Sequence, residues 1–323
     1  MHHVRSAKHA MNLTDTTATF EHLTPRLMVQ LAAPHTWAAS ILPVLLAVAL
    51  VVAQGEPLSL VMSCVLLCIS ILMQSSVNTF NDYFDYVKGA DTTDNQADPD
   101  DAVLVYNNIS PKSALLYAIG LLVIAFVLGI YVIITAGLTP LIIALIGAAI
   151  IFLYSGGKTP ISYLPIGELV SGVTMGGLIS LASYQALTLR LDFMVLLFAL
   201  PIIVGIGMIM FTNNACDIDK DIEAHRHTMP ALLGYIKSRR AYHVTIYGWM
   251  ISIVILVCVF FRAGALILPF MLLICHGNGQ MLIHNPLKPA TRGPAMGQCL
   301  TMNVEFGAFY IMCIIASNVI VFS

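Results

Sequence analysis

Two short stretches hold most of the acid in this chain, and their spacing suits a cation together with the anion it carries. The first runs Asn81-Asp82-Tyr83-Phe84-Asp85 and on through Gly89-Ala90-Asp91, with further aspartates at positions 94, 98, 100 and 101. The second runs Asn213-Asn214-Ala215-Cys216-Asp217 and on through Asp219, Asp221 and Glu223. Together they contain eleven of the seventeen carboxylates. On a helix, Asn81 and Asp85 stand at i and i+4 on one face, and so do Asp217 and Asp221. Crowded carboxylates repel unless a cation holds them. Ligand sets made only of oxygen suit Mg²⁺, which takes a couple of carboxylates and completes its shell from water and phosphate. Two such pairs on opposing helix ends form a clamp for a diphosphate. A solvated acidic loop or a frayed helix end explains either stretch alone. The repetition favours the clamp.

Other groups gather around it. In Tyr154-Ser155-Gly156-Gly157-Lys158 the glycines let backbone approach a ligand closely, and Lys158 supplies a point charge for phosphate. Read blandly, the same lysine only marks a helix end. Arg226 and Lys112 are further cations on this side. His225 and His227, at i and i+2, do not share a helix face, which argues against a histidine metal site. Glu168 and Glu305 are ionisable groups at or within membrane depth, where such residues are costly and function is the first expectation. The Glu168 segment also carries Gly172-x-x-x-Gly176, a pattern for close helix contact.

The elements that position these groups are membrane spans. Hydrophobic residues make up 58% of the 323 residues and charged ones 10%, against roughly a quarter in soluble domains. The mean hydropathy is +0.86. Apolar runs at 36–53, 58–84, 112–135, 138–154, 165–186, 193–215, 241–261, 264–284 and 300–322 give an all-α integral membrane protein with nine expected spans in one bundle. The connections then alternate sides. Thirteen of the fifteen lysines and arginines fall on the side of the long loops, the exceptions being Arg190 and Arg262. The positive-inside rule puts that side, the N-terminus and both acidic stretches in the cytoplasm, with the C-terminus outside. Residues 1–35 form a polar N-terminal segment and 36–323 the membrane domain. No cleaved signal peptide is expected, since residues 1–25 lack an apolar core. The seven cysteines form no CxxC pair, and Cys64 and Cys68 read as lipid- or helix-facing packing.

With these residues in place, the chain resembles the UbiA superfamily of intramembrane prenyltransferases over nearly its whole length. Asn81, Asp82 and Asp85 match that family's first motif, roughly NDxxDxxxD, although Gly89 replaces the final aspartate and Asp91 follows two residues on. Asp217 and Asp221 match its DxxxD, and Tyr154 and Lys158 its YxxxK. The resemblance implies catalytic and metal-binding roles for Asp82, Asp85, Asp217 and Asp221. It also implies substrate binding by Asn81, Asp91, Tyr154, Lys158 and Asn214, with Glu168 beside them. Lys158 goes to the diphosphate, and Arg226 and Lys112 are the candidates for an acceptor's carboxylate, with the diphosphate as the alternative partner of Arg226. The implied reaction is Mg²⁺-dependent transfer of a polyprenyl group from polyprenyl diphosphate to an aromatic acceptor, within the lipid bilayer of the plasma membrane and with no nucleic-acid partner.

Three segments resemble the branch that prenylates 1,4-dihydroxy-2-naphthoate for menaquinone biosynthesis: 81–92, the run from Tyr154 to Gly172, and 213–230. Departures bear on the acceptor rather than on the reaction class. Ala33-Pro34-His35 stands where that branch usually has Arg-Pro, His225-Arg226-His227 precedes Thr228-Met229 where it usually has Gly-Arg/Lys-Lys before Thr-Leu, and Tyr106-Asn107-Asn108 replaces a glycine-rich stretch. Acceptors of the 4-hydroxybenzoate or homogentisate type are the alternative. A CDP-alcohol phosphotransferase would need a DGxxAR element, absent here. A secondary transporter would place its ionisable groups near the bilayer midplane rather than at helix ends.

Overall fold

The computed structural model describes residues 20–88, 102–155 and 159–319. Asp91 and Lys158, two expected ligand-binding residues, lie outside them. Among the described residues no strand forms beyond a single bridge between Glu21 and Ile109. Helices are the expected outcome, because a segment surrounded by lipid must satisfy its backbone groups internally.

Helix α1 (Pro25–Ala32) and helix α2 (Ala38–Ala53) form a pair bent by 59°. The bend follows from Ala33, whose φ of 45° ends α1, and from Pro34 after it. Helix α3 (Leu60–Lys88) carries the first acidic motif on its last turns. A short α4 (Val103–Tyr106) precedes α5 (Pro111–Ala136) and α6 (Thr139–Ser155), which are divided at Gly137 with φ 78°. Helix α7 (Gly167–Gly172), a π-helical turn (Val173–Leu178) and α8 (Ile179–Thr188) follow one another without a break. So do α9 (Met194–Phe198) and α10 (Leu200–Cys216), apart from Ala199. The chain closes with α11 (Ile218–Glu223), α12 (Met229–Phe260), α13 (Leu268–His284) and α14 (Arg292–Val319).

Among the described residues five helices are long and apolar enough to cross a membrane, and a sixth if α1 and α2 count together. Helices α6 and α10 are apolar but shorter. The outer faces of α5, α6 and α13 expose large apolar side chains such as Phe126, Phe152 and Leu273, as lipid-facing surfaces do. Cys64 and Cys68 are exposed as well, in keeping with packing rather than cross-linking.

The core lies between α2, α10, α12, α13 and α14, around Trp249, Tyr242, Tyr310 and Met271. The Gly172–Gly176 pattern does what its spacing leads one to expect. A Cβ on Gly172 would fall on the Ile203 carbonyl, and one on Gly176 would lie 2.8 Å from the Ile203 nitrogen. The α7–α8 column therefore crosses α10 with the two backbones almost touching. That crossing brings the start of α7 against the end of α10. At the other end of these helices the loops after α2 and α8 meet through an Arg190–Glu56 ion pair of 2.7 Å, and the hydroxyl of Tyr184 on α8 donates to Gln54.

Candidate active site

The second acidic motif does not continue α10, contrary to the single helix end read from its spacing. The helix stops at Cys216, Asp217 sits at the junction with φ −112° and ψ 25°, and α11 starts at Ile218. The i, i+4 relation survives in the backbone, where the Asp221 N–H donates to the Asp217 carbonyl at 2.9 Å. The two carboxylates nonetheless take different partners. Asp217 lies 3.4 Å from Nε of Arg292, which also donates to Oδ1 of Asn213 at 2.8 Å. Buried Asp221 accepts from the Thr228 hydroxyl at 2.8 Å and lies 3.1 Å from an Arg226 Nη. Burial pushes the Asp221 carboxyl above the usual carboxylate range, against the downward pull of Thr228 and Arg226.

Arg226 is held further. Its backbone N–H donates to the Asp221 carbonyl at 2.8 Å, and its guanidinium lies 5.1 Å from the centre of the Tyr163 ring. It is the counter-ion of Asp221. Lys112, exposed on the first turn of α5, is not among the residues that line the cavity described below.

The first motif lies on α3, which runs unbroken to Lys88, so Asn81 and Asp85 share a helix face as expected. Asp82 points elsewhere. It is buried, and its carboxylate accepts from the backbone N–H groups of Val103 and Leu104 at 3.0 and 3.4 Å, capping the start of α4. Asn81 is exposed and lines a cavity of about 790 Å³. Asn78, Tyr154, Arg292 and His35 line the same cavity near its polar end. Apolar walls follow, with Leu66 on α3, Ile143 on α6 and Leu178 in the π-helical turn. From Asn81 to Leu66 the cavity accompanies roughly 22 Å of helix. Asn78 donates to the Ala32 carbonyl at 3.0 Å and to the Thr36 hydroxyl at 2.9 Å, which fastens the α1–α2 bend onto α3 beside this polar end.

Glu168, in the first turn of α7, is buried and accepts from the Asn214 side chain at 2.9 Å. Its other oxygen is buried without a hydrogen-bond partner. Asn214 is thus positioned from α7, one turn before Asp217. Glu305 joins no part of this cluster, being bonded to Asn278 between α13 and α14. Arg292 is the residue that the spacing argument missed. It starts α14, within a stretch, 285–299, that lies between two expected spans and carries Lys288 and Arg292 but no carboxylate, and that imbalance is the signal the sequence did contain.

Among the described residues no three His, Cys, Asp or Glu side chains stand close enough to cage a metal ion. The donor set still fits Mg²⁺, which takes one or two carboxylates and finishes its shell with phosphate oxygens and water. Asp217, held only at 3.4 Å by its arginine, is well suited to such a ligand role. Asp82 is the least suited, because α4 already occupies both its oxygens.

The sequence matches the UbiA prenyltransferase family over residues 40–291. It is 32% identical over 233 residues to a 1,4-dihydroxy-2-naphthoate octaprenyltransferase of Bacillus subtilis (strain 168), covering 71% of this chain and 74% of that one. It is 28% identical over 194 residues to the protein of that name from Mycobacterium leprae (strain TN), covering 59% of this chain and 64% of that one. The fold is similar to the solved structure of a UbiA homolog from Archaeoglobus fulgidus bound to GPP and Mg²⁺. The TM-score there is 0.60 at 16% identity, over 91% of this chain and all of that one.

Proposed function

The chain belongs to the UbiA prenyltransferase family, and from that premise we propose that it transfers a polyprenyl group from its diphosphate to 1,4-dihydroxy-2-naphthoate, with Mg²⁺ required. That it is a prenyltransferase leaves no place for a CDP-alcohol phosphotransferase or a secondary transporter. The observation that carries the proposal is the cavity. One continuous space joins apolar walls suited to an isoprenoid chain to a polar end lined by Asn81, Tyr154 and Arg292. The similarity to the Bacillus and Mycobacterium enzymes favours the naphthoate acceptor over 4-hydroxybenzoate and homogentisate.

Asp85 and Asp217, with Asn81 beside them, are the residues that would hold Mg²⁺ on the diphosphate. When bound, that ion neutralises charge on the leaving group. Arg292 reaches the cavity from α14 and makes charge-assisted hydrogen bonds to diphosphate oxygens as the allylic C–O bond breaks and its electron pair leaves with the diphosphate. Arg226 fixes Asp221 and balances its charge. Glu168 orients Asn214 at the end of α10. The apolar walls keep water from the allylic cation until the aromatic carbon forms the new C–C bond, and the ring regains its aromaticity by breaking that carbon's bond to hydrogen, released as a proton, or to the carboxylate, released as CO2. Nine spans carry this arrangement, with the site at the cytoplasmic helix ends. The α1–α2, α7–α8 and α9–α10 columns and α6 then count as spans beside the five long helices.

The test is a reaction of purified enzyme with a long prenyl diphosphate and each of the three acceptors, with Mg²⁺ or with a chelator, products identified by mass. A prenylated naphthalene formed only with Mg²⁺ is the expected result. Product from 4-hydroxybenzoate or homogentisate alone would overturn the acceptor, and undiminished turnover in chelator would overturn the metal.

A further inference from the structure

A second, smaller pocket of about 240 Å³ lies among α10, α11, the start of α12 and the loop before α14. Ala215, Ile218, Ile236 and Leu287 form apolar walls, and Arg239 and Lys288 bring two cations to it. Neither cation has an ion-pair partner among the described residues. Ser238 also lines the pocket. It is 2% exposed, and its hydroxyl finds no hydrogen-bond partner.

That unmet hydroxyl has a local cause. A serine in a helix usually returns its hydroxyl to the carbonyl one turn back. Here that carbonyl belongs to Gly234, whose φ of 68° and ψ of 170° turn it out of the helix. The break in α12 thus leaves a buried donor unused at a pocket that two cations border, and a buried polar group left unmet is costly. The surroundings are interfacial. Exposed Tyr235 and Ile236 stand beside exposed Lys237, Arg239 and Arg240, an apolar and basic mixture suited to the boundary between acyl chains and headgroups.

We propose that this pocket binds the phosphodiester of an anionic phospholipid, with the Ser238 hydroxyl donating to a phosphate oxygen, Arg239 and Lys288 pairing with its charge, and the acyl chains lying over Tyr235 and Ile236. No acid lines the pocket, and Asp219 on α11 accepts from the Tyr235 hydroxyl at 2.6 Å. The inference stands apart from the prenyl-transfer reading, since none of these residues belongs to that site.

The experiment uses the full-length protein, delipidated in a neutral detergent, with bound lipid counted by native mass spectrometry. Short-chain phosphatidylglycerol, phosphatidylcholine of equal chain length and inorganic phosphate are titrated separately. Phosphatidylglycerol should bind as one defined adduct, and the other two should not. Arg239→Gln with Lys288→Gln should weaken that adduct roughly 30-fold, the combined effect of two interfacial cations. Ser238→Ala should weaken it by about fivefold, a neutral hydrogen bond's share. Lys237→Gln with Arg240→Gln removes equal charge outside the pocket and should change it less than about threefold. Prenyl-transfer activity in each variant reports that the protein remains folded. Equal binding of phosphatidylcholine, binding of inorganic phosphate as tight as that of the lipid, or equal losses from the two double variants would each overturn the proposal.

Discussion

Arg292 and Arg226 divide the second acidic motif between them, and the division is a statement about charge. Two carboxylates four residues apart at an apolar helix end repel each other, and each here has its own guanidinium. Only Arg292 also lines the cavity. Arg292→Gln should therefore lower kcat/KM for the prenyl diphosphate by roughly 10²–10³-fold, the cost of losing one preorganised donor to developing negative charge. Arg292→Lys should recover only part of that loss, because an ammonium lacks the planar fork. Steady-state kinetics at saturating acceptor check this, and an unchanged kcat/KM in the glutamine variant would remove Arg292 from the site. Arg226→Lys carries a separate expectation. The sequence reading gave this residue to the acceptor's carboxylate, but its pairing with Asp221 favours the diphosphate side. The Michaelis constant for the prenyl diphosphate should rise several-fold in that variant while the acceptor constant holds. The reverse pattern would restore the acceptor role. The acids themselves were legible in the sequence, since charge in so apolar a chain is too costly to be incidental. Their partners were not. Arg292 lies 79 positions from the Asn213 it bonds, a relation that no local spacing encodes.

At the level of the elements, the sequence spoke clearly wherever a local rule decides the outcome. Gly172 and Gly176 signalled a close crossing, and the Ile203 backbone fills the space that their missing side chains leave. The break at Gly137 was equally readable, between the runs 112–135 and 138–154, because glycine admits the positive φ found there. The π-helical turn after Gly172 and the stop of α10 at Cys216 had no such marker. Both answer to packing between distant segments. The glycine crossing gives a direct test of stability. Gly176→Leu forces side-chain atoms into the α10 backbone and should destabilise the protein by about 1–3 kcal/mol. Gly120→Ala, on α5 with nothing within 4 Å of the added Cβ, should be neutral or slightly stabilising. Thermal unfolding in detergent reads both. A Gly176→Leu midpoint no lower than that of Gly120→Ala would mean that the α7–α10 crossing yields without cost.

For the whole molecule, the charge asymmetry predicts the orientation. With thirteen of fifteen basic residues on the long-loop side, a reporter fused after Ser323 should read as extracytoplasmic. A cytoplasmic signal there would sink the nine-span count. What the sequence could not supply was the cavity, which exists only because α2, α3, α5, α6, the column from α7 to α8, α10 and α14 leave space between them. Its shape carries the last prediction. The polar end is lined by Asn81, Tyr154 and Arg292, while Ala182 on α8 lines the cavity among apolar neighbours such as Leu66 and Ile179. If the isoprenoid tail lies along these walls, a larger side chain there obstructs long substrates and spares short ones, because a short chain ends before reaching it. Ala182→Phe should leave kcat/KM for a two-unit prenyl diphosphate within about threefold and lower it for a long-chain one by roughly 10–200-fold, the range over which apolar pockets discriminate by size. The diphosphate clamp is untouched in this variant, so a loss confined to long chains is a loss of tail space. An equal fall for both lengths would mean that the substitution disturbs the polar end, and an unchanged long-chain rate would mean that the tail lies elsewhere.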